Sequence, residues 1–310
     1  MKYPSDISTF MNSYAEENSF SGYVFIAQNN KLLYEDGFGF ANYESETEHT
    51  SQTTYRLASL TKQFTAFSIL LLEERGLLNL HDPISKYFPN YAEGAEITIH
   101  HLLSMSSGIP ELNFYNPNGL LDSLEEGLVH EFDPGEKFSY SNSNYLLLEY
   151  IIKQVSGLTY DEFLQKNILE PAEMFNTGTG DPASNLALGY PNVSDRINRE
   201  IKYTLDPPYS YGGMYSTMED LYKWDQILYT EKLAKQATIN KMYTSYNDSY
   251  GYGWFVDGSI VKHSGIVSGY SPYILRDIEQ NLVLILLSNI DGLYMEMENL
   301  AYELLKVVND

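Results

Sequence analysis

The stretch that decides the fold is "RLASLTKQFTAFSILLLEERG", residues 56–76. Its apolar residues nearly surround the helix axis, which predicts a buried helix over Leu60–Arg75 that ends at Gly76. Ser59 precedes this helix and Lys62 lies one turn further, so the two side chains share a helix face. Taken alone, Ser59 is either an ordinary N-cap or a nucleophile whose proton Lys62 accepts, and the spacing leaves both interpretations open.

Strand patterns occur at both ends of the chain. A surface helix is predicted over Asp6–Glu17, with Ser5 or Asp6 as N-cap, and two strands follow around a tight turn at Asn29-Asn30. After Tyr250 the sequence returns to strand-like runs and closes with a helix over Met295–Val308. We therefore predict an α/β (α+β) fold, in which a mostly antiparallel sheet built from both termini is flanked by helices and carries an inserted helical domain.

The predicted organisation is a single unit over residues 6–308. Residues 1–75 and 245–310 form its α/β part, and residues 76–244 form a mainly helical part. In the helical part, Asp82-Pro83 starts one short helix and Thr98 caps another. A longer helix is predicted over Asn144–Val155, ending at Ser156-Gly157.

Composition excludes several classes of function. The 310 residues carry a net charge of -23, which disfavours nucleic acid and anionic membranes as partners. The chain has no cysteine, so disulfides and thiolate catalysis are excluded. No apolar run approaches the ~18 residues of a membrane span. The first residues do not resemble a signal peptide, which favours a cytoplasmic location, or an extracellular one if a leader has been removed. The oligomeric state stays open.

A Ser-x-x-Lys spacing is weak evidence by itself, because the chain contains it twice. Ser259 and Lys262 have the same spacing but lie in a β-branched run, where positions three apart face opposite sides. Two other short patterns accompany the first pair. Tyr140-Ser141-Asn142 stands just before a predicted helix, and His263-Ser264-Gly265 stands at the end of a predicted strand.

In the order Ser-x-x-Lys, Tyr-x-Asn and His-x-Gly, these patterns resemble the three active-site motifs of the serine β-lactamase and penicillin-binding protein superfamily. Longer segments resemble the family in the same order, among them "YRLASLTKQFTA", "ITIHHLLSMSSGIP" and "YSNSNYLLLEYIIKQVSG". The resemblance covers nearly the whole chain. It is closest to class C β-lactamases, D-stereospecific peptidases and related esterases, and it implies a β-lactamase/transpeptidase-like fold.

The resemblance implies a role for each motif residue. Ser59 would be acylated, and Lys62 would accept or relay its proton. Tyr140, as a phenolate or through Lys62, would pass protons to the leaving group and later activate water. The substrate-binding residues would be Asn142, His263, Ser264, Gly265, Ile266 and Gly213. Of these, Ile266 would complete an oxyanion hole with the backbone N–H of Ser59, and Gly213 would border the cleft.

Two positions depart from many relatives, which have lysine at His263 and histidine at Met105. A free histidine is mostly neutral at pH 7, so His263 predicts weaker recognition of penicillin carboxylates. Protonation of His263 between about pH 8 and pH 6 is then expected to favour anionic substrates. Met105 removes the hydrogen bond that a histidine would offer.

The sequence is therefore interpreted as a serine acyl hydrolase of small esters, D-amino-acid amides or peptides, or β-lactams. Esterase or D-peptidase activity is favoured over efficient β-lactam hydrolysis. One alternative is a penicillin-binding sensor that is acylated without turnover, and another is a scaffold with a decayed site. Neither a metal nor a cofactor is expected, since His100 and His101 are adjacent and point apart. The partner would be a small molecule or a peptide.

Overall fold

The computed structural model describes residues 3–112, 119–182, 184–193, 209–247 and 249–309. The strands are β1 (Gly22–Gln28), β2 (Lys31–Phe38), β3 (Phe40–Asn42), β4 (Thr47–Glu48), β5 (Thr54–Arg56), β6 (Gly178–Thr179), β7 (Met214–Thr217), β8 (Phe255–Asp257), β9 (Ile260–Ser264), β10 (Tyr273–Asp277) and β11 (Leu282–Ser288).

The α-helices are α1 (Tyr3–Asn18), α2 (Thr61–Glu74), α3 (Ile99–Leu103), α4 (Gly119–Glu126), α5 (Asn142–Ser156), α6 (Tyr160–Leu164), α7 (Met218–Ile227), α8 (Gln236–Asn240) and α9 (Tyr294–Asn309). Short 3₁₀ turns lie at Ala58–Leu60, Ile84–Lys86, Ala92–Ala95 and Lys241–Tyr243, and a π-helical turn lies at Gln165–Leu169. None of the helices in the described part of the chain combines the length and apolar character that crossing a bilayer requires.

The main sheet joins the two ends of the chain. Its order is β2-β1-β11-β10-β9-β8, and each neighbouring pair is antiparallel. The predicted fold class is therefore confirmed. Asn29 and Asn30 both have left-handed backbone, with φ of 52° and 61°, which gives the tight β1–β2 turn that the sequence predicted.

The central strands bury side chains on both faces. Along β11, Val283, Ile285 and Leu287 belong to the larger apolar cluster, whereas the residues between them belong to a smaller one. Successive side chains of a strand point to opposite faces, so one strand contributes to both layers. Helices α1 and α9 cover the smaller cluster, and α2 and α5 lie in the larger one.

Several predicted helix ends are shifted in the structure. The first helix begins at Tyr3, so Ser5 and Asp6 lie inside its first turns and neither is the N-cap. The helix predicted from Asn144 begins at Asn142 and ends, as predicted, at Gly157 in left-handed conformation. The segment after Asp82-Pro83 forms only a 3₁₀ turn, whereas Thr98 does cap α3.

A smaller sheet positions the start of α2. Its strand order is β5-β7-β6, and Leu57 donates its backbone N–H to the Met214 carbonyl at 2.9 Å. The chain leaves β5 directly into the 3₁₀ turn at Ala58–Leu60 and then into α2. This sheet therefore places Ser59 beside residues 209–213, which lead into β7.

Candidate active site

Ser59 lies in a turn with an unusual backbone. Ala58, the residue before it, has φ of 47°, a left-handed conformation that a residue with a Cβ rarely adopts. Such a conformation costs about 1–3 kcal/mol and persists only where surrounding contacts impose it. Here the contacts are the pairing of β5 with β7 on one side and the buried helix α2 on the other. Ser59 itself is half-buried.

The structure brings Lys62 to Ser59. The Lys62 Nζ atom lies 3.0 Å from the Ser59 Oγ atom and donates to the Tyr211 carbonyl at 2.6 Å. The Lys62 side chain is 0% exposed. Burial lowers the pKa of Lys62 to about 7, while the Glu111 carboxylate acts in the opposite direction. A large fraction of Lys62 is therefore neutral at physiological pH, as a proton acceptor must be.

Tyr140 lies on the other side of the lysine. Its ring centroid is 5.0 Å from Lys62 Nζ, and its hydroxyl shares a hydrogen bond with Ser59. Burial raises the pKa of Tyr140 well above its ordinary value, and Glu111 raises it further. Tyr140 is therefore a neutral phenol at pH 7, and of the two groups beside Ser59 only Lys62 can accept a proton there.

The carbonyl that holds Lys62 belongs to a turn formed by residues 209–213. The Glu149 carboxylate fixes the start of this turn, because it accepts the backbone N–H groups of Tyr209 at 3.0 Å and Ser210 at 2.9 Å. Glu149 lies two helical turns after Asn142 on α5, so its helical spacing was the one signal that could have identified it. The sequence gives no signal for the Tyr211 carbonyl, because a residue of any type has the same backbone oxygen.

The two glycines of this turn face different neighbours. A Cβ on Gly212 would lie 3.6 Å from the Ala58 carbonyl carbon, whereas a Cβ on Gly213 would lie 2.6 Å from the Tyr209 ring. Gly213 is buried and Gly212 only half-buried. Gly212 therefore borders the Ser59 turn, and the role of Gly213 at the cleft stays a prediction.

Asn142 is held by a residue that the sequence did not single out. Its amide Nδ2 donates to Glu111 Oε1 at 2.8 Å, and its backbone N–H donates to Glu111 Oε2 at 2.5 Å. Its Oδ1 atom is buried and has no hydrogen-bond partner among the described residues. One of the two amide N–H groups of Asn142 is therefore occupied by Glu111, and its Oδ1 atom is closed off from solvent.

Met105, at the position where many relatives have histidine, still makes polar contacts. Its backbone is left-handed, with φ of 56°, and its Sδ atom accepts the Ser141 N–H at 3.4 Å and the Asn144 Nδ2 at 3.6 Å. Thioether sulfur is a weak acceptor. The position therefore still supports the segment that carries Tyr140.

His263 is buried and stays neutral. Its Nδ1 donates to the Ser264 carbonyl at 2.6 Å, and its Nε2 lies 3.3 Å from the Tyr250 hydroxyl. Burial, followed by repulsion from Lys62, lowers the pKa of His263 to about 3. The expectation that His263 gains charge between about pH 8 and pH 6 is therefore wrong for the folded protein.

Gly265 brings strand β9 against the Ser59 turn. A Cβ at this position would lie 2.5 Å from the Leu57 carbonyl oxygen and 3.0 Å from the Ala58 Cβ. Only glycine permits this approach. Ile266 follows at once and its side chain is 56% exposed, while Ser264 precedes Gly265 at the end of β9. In the second Ser-x-x-Lys pair, Ser259 lies in the turn before β9, and Lys262 within β9 bonds Glu298 at 2.5 Å.

Comparison with known proteins identifies the family. The family model described as Beta-lactamase matches residues 8–309. The chain is 31% identical to penicillin-binding protein 4* of Bacillus subtilis (strain 168), over 91% of this chain and 71% of that protein. The solved octameric penicillin-binding protein homologue from Pyrococcus abyssi is 30% identical, with a TM-score of 0.79, over 92% of this chain and 73% of that chain.

A third similar protein supports the fold assignment only. The D-amino acid amidase from Ochrobactrum anthropi SV3, solved with L-phenylalanine amide, has a TM-score of 0.83 at 22% identity and covers 98% of both chains. These matches confirm the superfamily that the three motifs predicted and the β-lactamase/transpeptidase-like fold. Because the family model matches residues 8–309, nearly the whole chain, the chain belongs to the beta-lactamase family.

Proposed function

We propose that this protein is a serine hydrolase that works through an acyl-enzyme on Ser59. The observation that carries the proposal is the 3.0 Å contact between Lys62 Nζ and Ser59 Oγ, made by a buried lysine. Membership of a family whose members include penicillin-binding proteins supports serine acyl-transfer chemistry in the broad sense.

In the acylation step, Lys62 and Tyr140 each transfer a proton. Neutral Lys62 takes the proton of Ser59 Oγ as that oxygen bonds the substrate carbonyl carbon. The backbone N–H groups of Ser59 and Ile266 hold the resulting oxyanion. As the bond to the leaving group breaks, Tyr140 gives its proton to that group and is reprotonated by the ammonium of Lys62. The leaving group departs with its electron pair, and Ser59 carries the acyl group.

Deacylation reverses these roles with water as the nucleophile. Water gives one proton through Tyr140 and Lys62, attacks the acyl carbonyl and releases the acid. Ser59 recovers its proton when its bond to the acyl carbon breaks. The proton count on Lys62, Tyr140 and Ser59 is then the same as before the cycle.

The acidic group in the site favours amino-acid substrates. Glu111 accepts one amide N–H of Asn142 and lies close enough to Lys62 and Tyr140 to raise the pKa of both. A free ammonium next to the scissile carbonyl would meet the exposed Glu111 carboxylate. A penicillin carboxylate would instead meet Glu111 and the neutral His263. We therefore expect small D-amino-acid amides and esters to be better substrates than penicillins.

The test of the nucleophile is mass spectrometry after labelling with a serine-reactive fluorophosphonate. We expect one adduct, on Ser59, that is absent from Ser59→Ala and present in Ser259→Ala. An adduct on Ser259, Ser141 or Ser268 would contradict the assignment.

A second function, a penicillin-binding sensor, is favoured by the name of the Bacillus subtilis relative. Intact-mass spectrometry over time separates the two functions. A hydrolase treated with an activated D-amino-acid ester shows a transient acyl adduct that decays to free enzyme. A sensor treated with a penicillin accumulates a stable adduct and does not turn over.

A further inference from the structure

A cavity of about 290 Å³ opens where the short edge strand β8 ends beside β9. Because β8 pairs only with residues 260–262, the last residues of β9 have no partner from β8. The cavity is lined there by His263 and Ser264, and on its far side by Tyr294 and Glu298 at the start of α9. His263 and Ser264 belong to the His-x-Gly motif, but the proposed acylation step assigns no role to the rest of this space.

The cavity adjoins the Ser59 site on the side of Tyr140. Phe255 lines the cavity, and its ring stacks on Tyr140 with centroids 6.4 Å apart and an interplanar angle of 7°. In the proposed mechanism, Tyr140 protonates the leaving group. Phe255 is therefore shared between the cavity and the ring of Tyr140, and a group that leaves Ser59 past Tyr140 moves toward the Phe255 side of the cavity.

The walls of the cavity carry more negative than positive charge. Asp257 and Glu298 face a single cation, Lys262, which is already bound to Glu298 at 2.5 Å. Lys262 also donates to the Tyr302 hydroxyl at 2.8 Å, which leaves little of its charge for another anion.

The remaining wall is aromatic, from Phe255, Tyr273 and Tyr294. Aromatic rings and excess carboxylate together favour an organic cation over an anion. The Tyr294 side chain is 39% exposed, so it stands at the entrance of the cavity.

One buried hydroxyl of the wall is unsatisfied. Tyr273 is 2% exposed, and its hydroxyl has no hydrogen-bond partner within the described residues. Burial, and after it the charge of the nearby Glu298 carboxylate, raises the pKa of Tyr273, yet no hydrogen bond of normal geometry satisfies the hydroxyl. A buried polar group without a partner is destabilising, and a guest that bonds it can relieve that cost.

We propose that this cavity is a subsite for a leaving group that carries an ammonium. The inference rests on the proposed function, because it places the leaving group by the position of Tyr140. The cation lies among the aromatic rings, beside Asp257 and Glu298. The leaving atom takes its proton from Tyr140, and its electron pair comes from the bond to the acyl carbon.

The experiment compares two acetyl thioesters that differ only in the leaving thiol. One thiol is thiocholine and the other is its uncharged isostere, 3,3-dimethylbutanethiol. Both give the same acetyl-enzyme, so the ratio of their kcat/KM values reports acylation alone. Measurements at about 0.5 M salt screen the general attraction of cations to an acidic protein. We expect wild type to favour the thiocholine ester by at least ~10-fold.

Variants of the wall locate the effect. Glu298→Gln and Asp257→Asn should each lower the ratio several-fold, and Tyr273→Phe should lower it less. The control is Glu303→Gln, on the same helix, because Glu303 acts on Tyr14 and does not line the cavity. Equal rates for the two thioesters in wild type, or a preference that survives Glu298→Gln and Asp257→Asn together, would overturn the subsite.

Binding of free choline to Ser59→Ala provides a readout that needs no catalysis. Calorimetry should detect binding that Glu298→Gln weakens and Glu303→Gln does not. Choline binding without fluorophosphonate labelling of Ser59 would refute the proposed function and leave the cation site standing. Labelling of Ser59 without choline binding or a thioester preference would refute the cation site alone.

Discussion

At the scale of single residues, the reactivity of the site depends on how deeply Lys62 is buried. An exposed lysine has a pKa near ~10.4 and could not accept a proton at neutral pH. In the folded protein the pKa of Lys62 falls to about 7. Acylation needs the neutral amine, so we expect kcat/KM to rise with pH and level off above about pH 7. His263, with a pKa of about 3, should add no inflection in this range.

Replacing Lys62 by arginine keeps a cation but removes the proton acceptor. Lys62→Arg should lower the rate of Ser59 acylation by at least ~100-fold, because arginine does not deprotonate in this pH range. The matched control is Lys262→Arg, in the second Ser-x-x-Lys pair, which should change acylation by less than about 3-fold. Stopped-flow acylation with an activated ester measures both. Near wild-type acylation by Lys62→Arg would reduce Lys62 to a structural cation.

The Glu111 carboxylate leads us to expect a preference for positively charged substrates. Wild type should cleave a D-amino-acid anilide with a free α-amino group at least ~10-fold faster than its N-acetyl derivative, and Glu111→Gln should remove most of this preference. Kinetics of the two substrates, with the exposed Glu126→Gln as control, measure the ratio. If Glu111→Gln retains the full preference, another group binds the ammonium.

At the scale of elements, strand β9 and the Ser59 turn require close contact at Gly265. Gly265→Ala would place a methyl group 2.5 Å from the Leu57 carbonyl oxygen, so the strand must move away from the turn. We expect a fall in kcat/KM of ~100-fold and a loss of ~1–3 kcal/mol in unfolding free energy. Denaturant unfolding and kinetics measure the two effects. Gly212→Ala meets its nearest neighbour at 3.6 Å and should cost little stability. A stable and fully active Gly265→Ala would contradict the need for this contact.

Helix α5 positions Lys62 indirectly through Glu149. Because the Glu149 carboxylate accepts two N–H groups of the 209–213 turn, it holds the Tyr211 carbonyl 2.6 Å from Lys62 Nζ. The dipole of the Tyr211 carbonyl, which Glu149 holds in place, favours the charged ammonium of Lys62. Glu149→Gln should therefore lower the pKa of Lys62 and shift the rise of kcat/KM to lower pH, while its plateau falls ~5- to 30-fold.

The pH profile distinguishes positioning from simple destabilisation. Glu149→Asp, which keeps the charge, should restore part of the plateau and the original inflection. The exposed Glu170→Gln should leave the profile as in wild type. An unshifted inflection in Glu149→Gln would mean that Glu149 supports the fold only.

At the scale of the whole molecule, the sheet and the inserted helices share one apolar cluster. Residues of β1 and β11 lie in it together with residues of α3, α5 and α6. Trp224 of α7 and Trp254, which precedes β8, are both 0% exposed in the same cluster. We propose that the chain is one cooperative unit in spite of its two-part architecture.

This proposal predicts a single unfolding transition. Tryptophan fluorescence and far-ultraviolet circular dichroism should give the same midpoint in urea, because neither part can unfold without exposing the shared cluster. Wild type without ligand is the relevant sample, and Gly265→Ala should shift both midpoints equally. Two separated transitions would show that the helical part folds independently.

The sequence by itself determined what depends on neighbours along the chain. The period of the apolar residues located α2, the two asparagines located the β1–β2 turn, and Gly157 ended α5, because each signal acts over a few residues. The motif order also identified Ser59, Lys62 and Tyr140 as one group, and the fold brings them together.

The tertiary structure decided the chemical state of those residues. The low pKa values of Lys62 and His263 arise from desolvation by segments distant in sequence, which no local pattern records. The Tyr211 carbonyl, Glu111 and the cavity beside β9 are likewise products of long-range packing. In the proposed reaction, residue types therefore define the candidate groups, whereas burial and contact determine which of these groups carries the proton and which substrate charge is expected to bind.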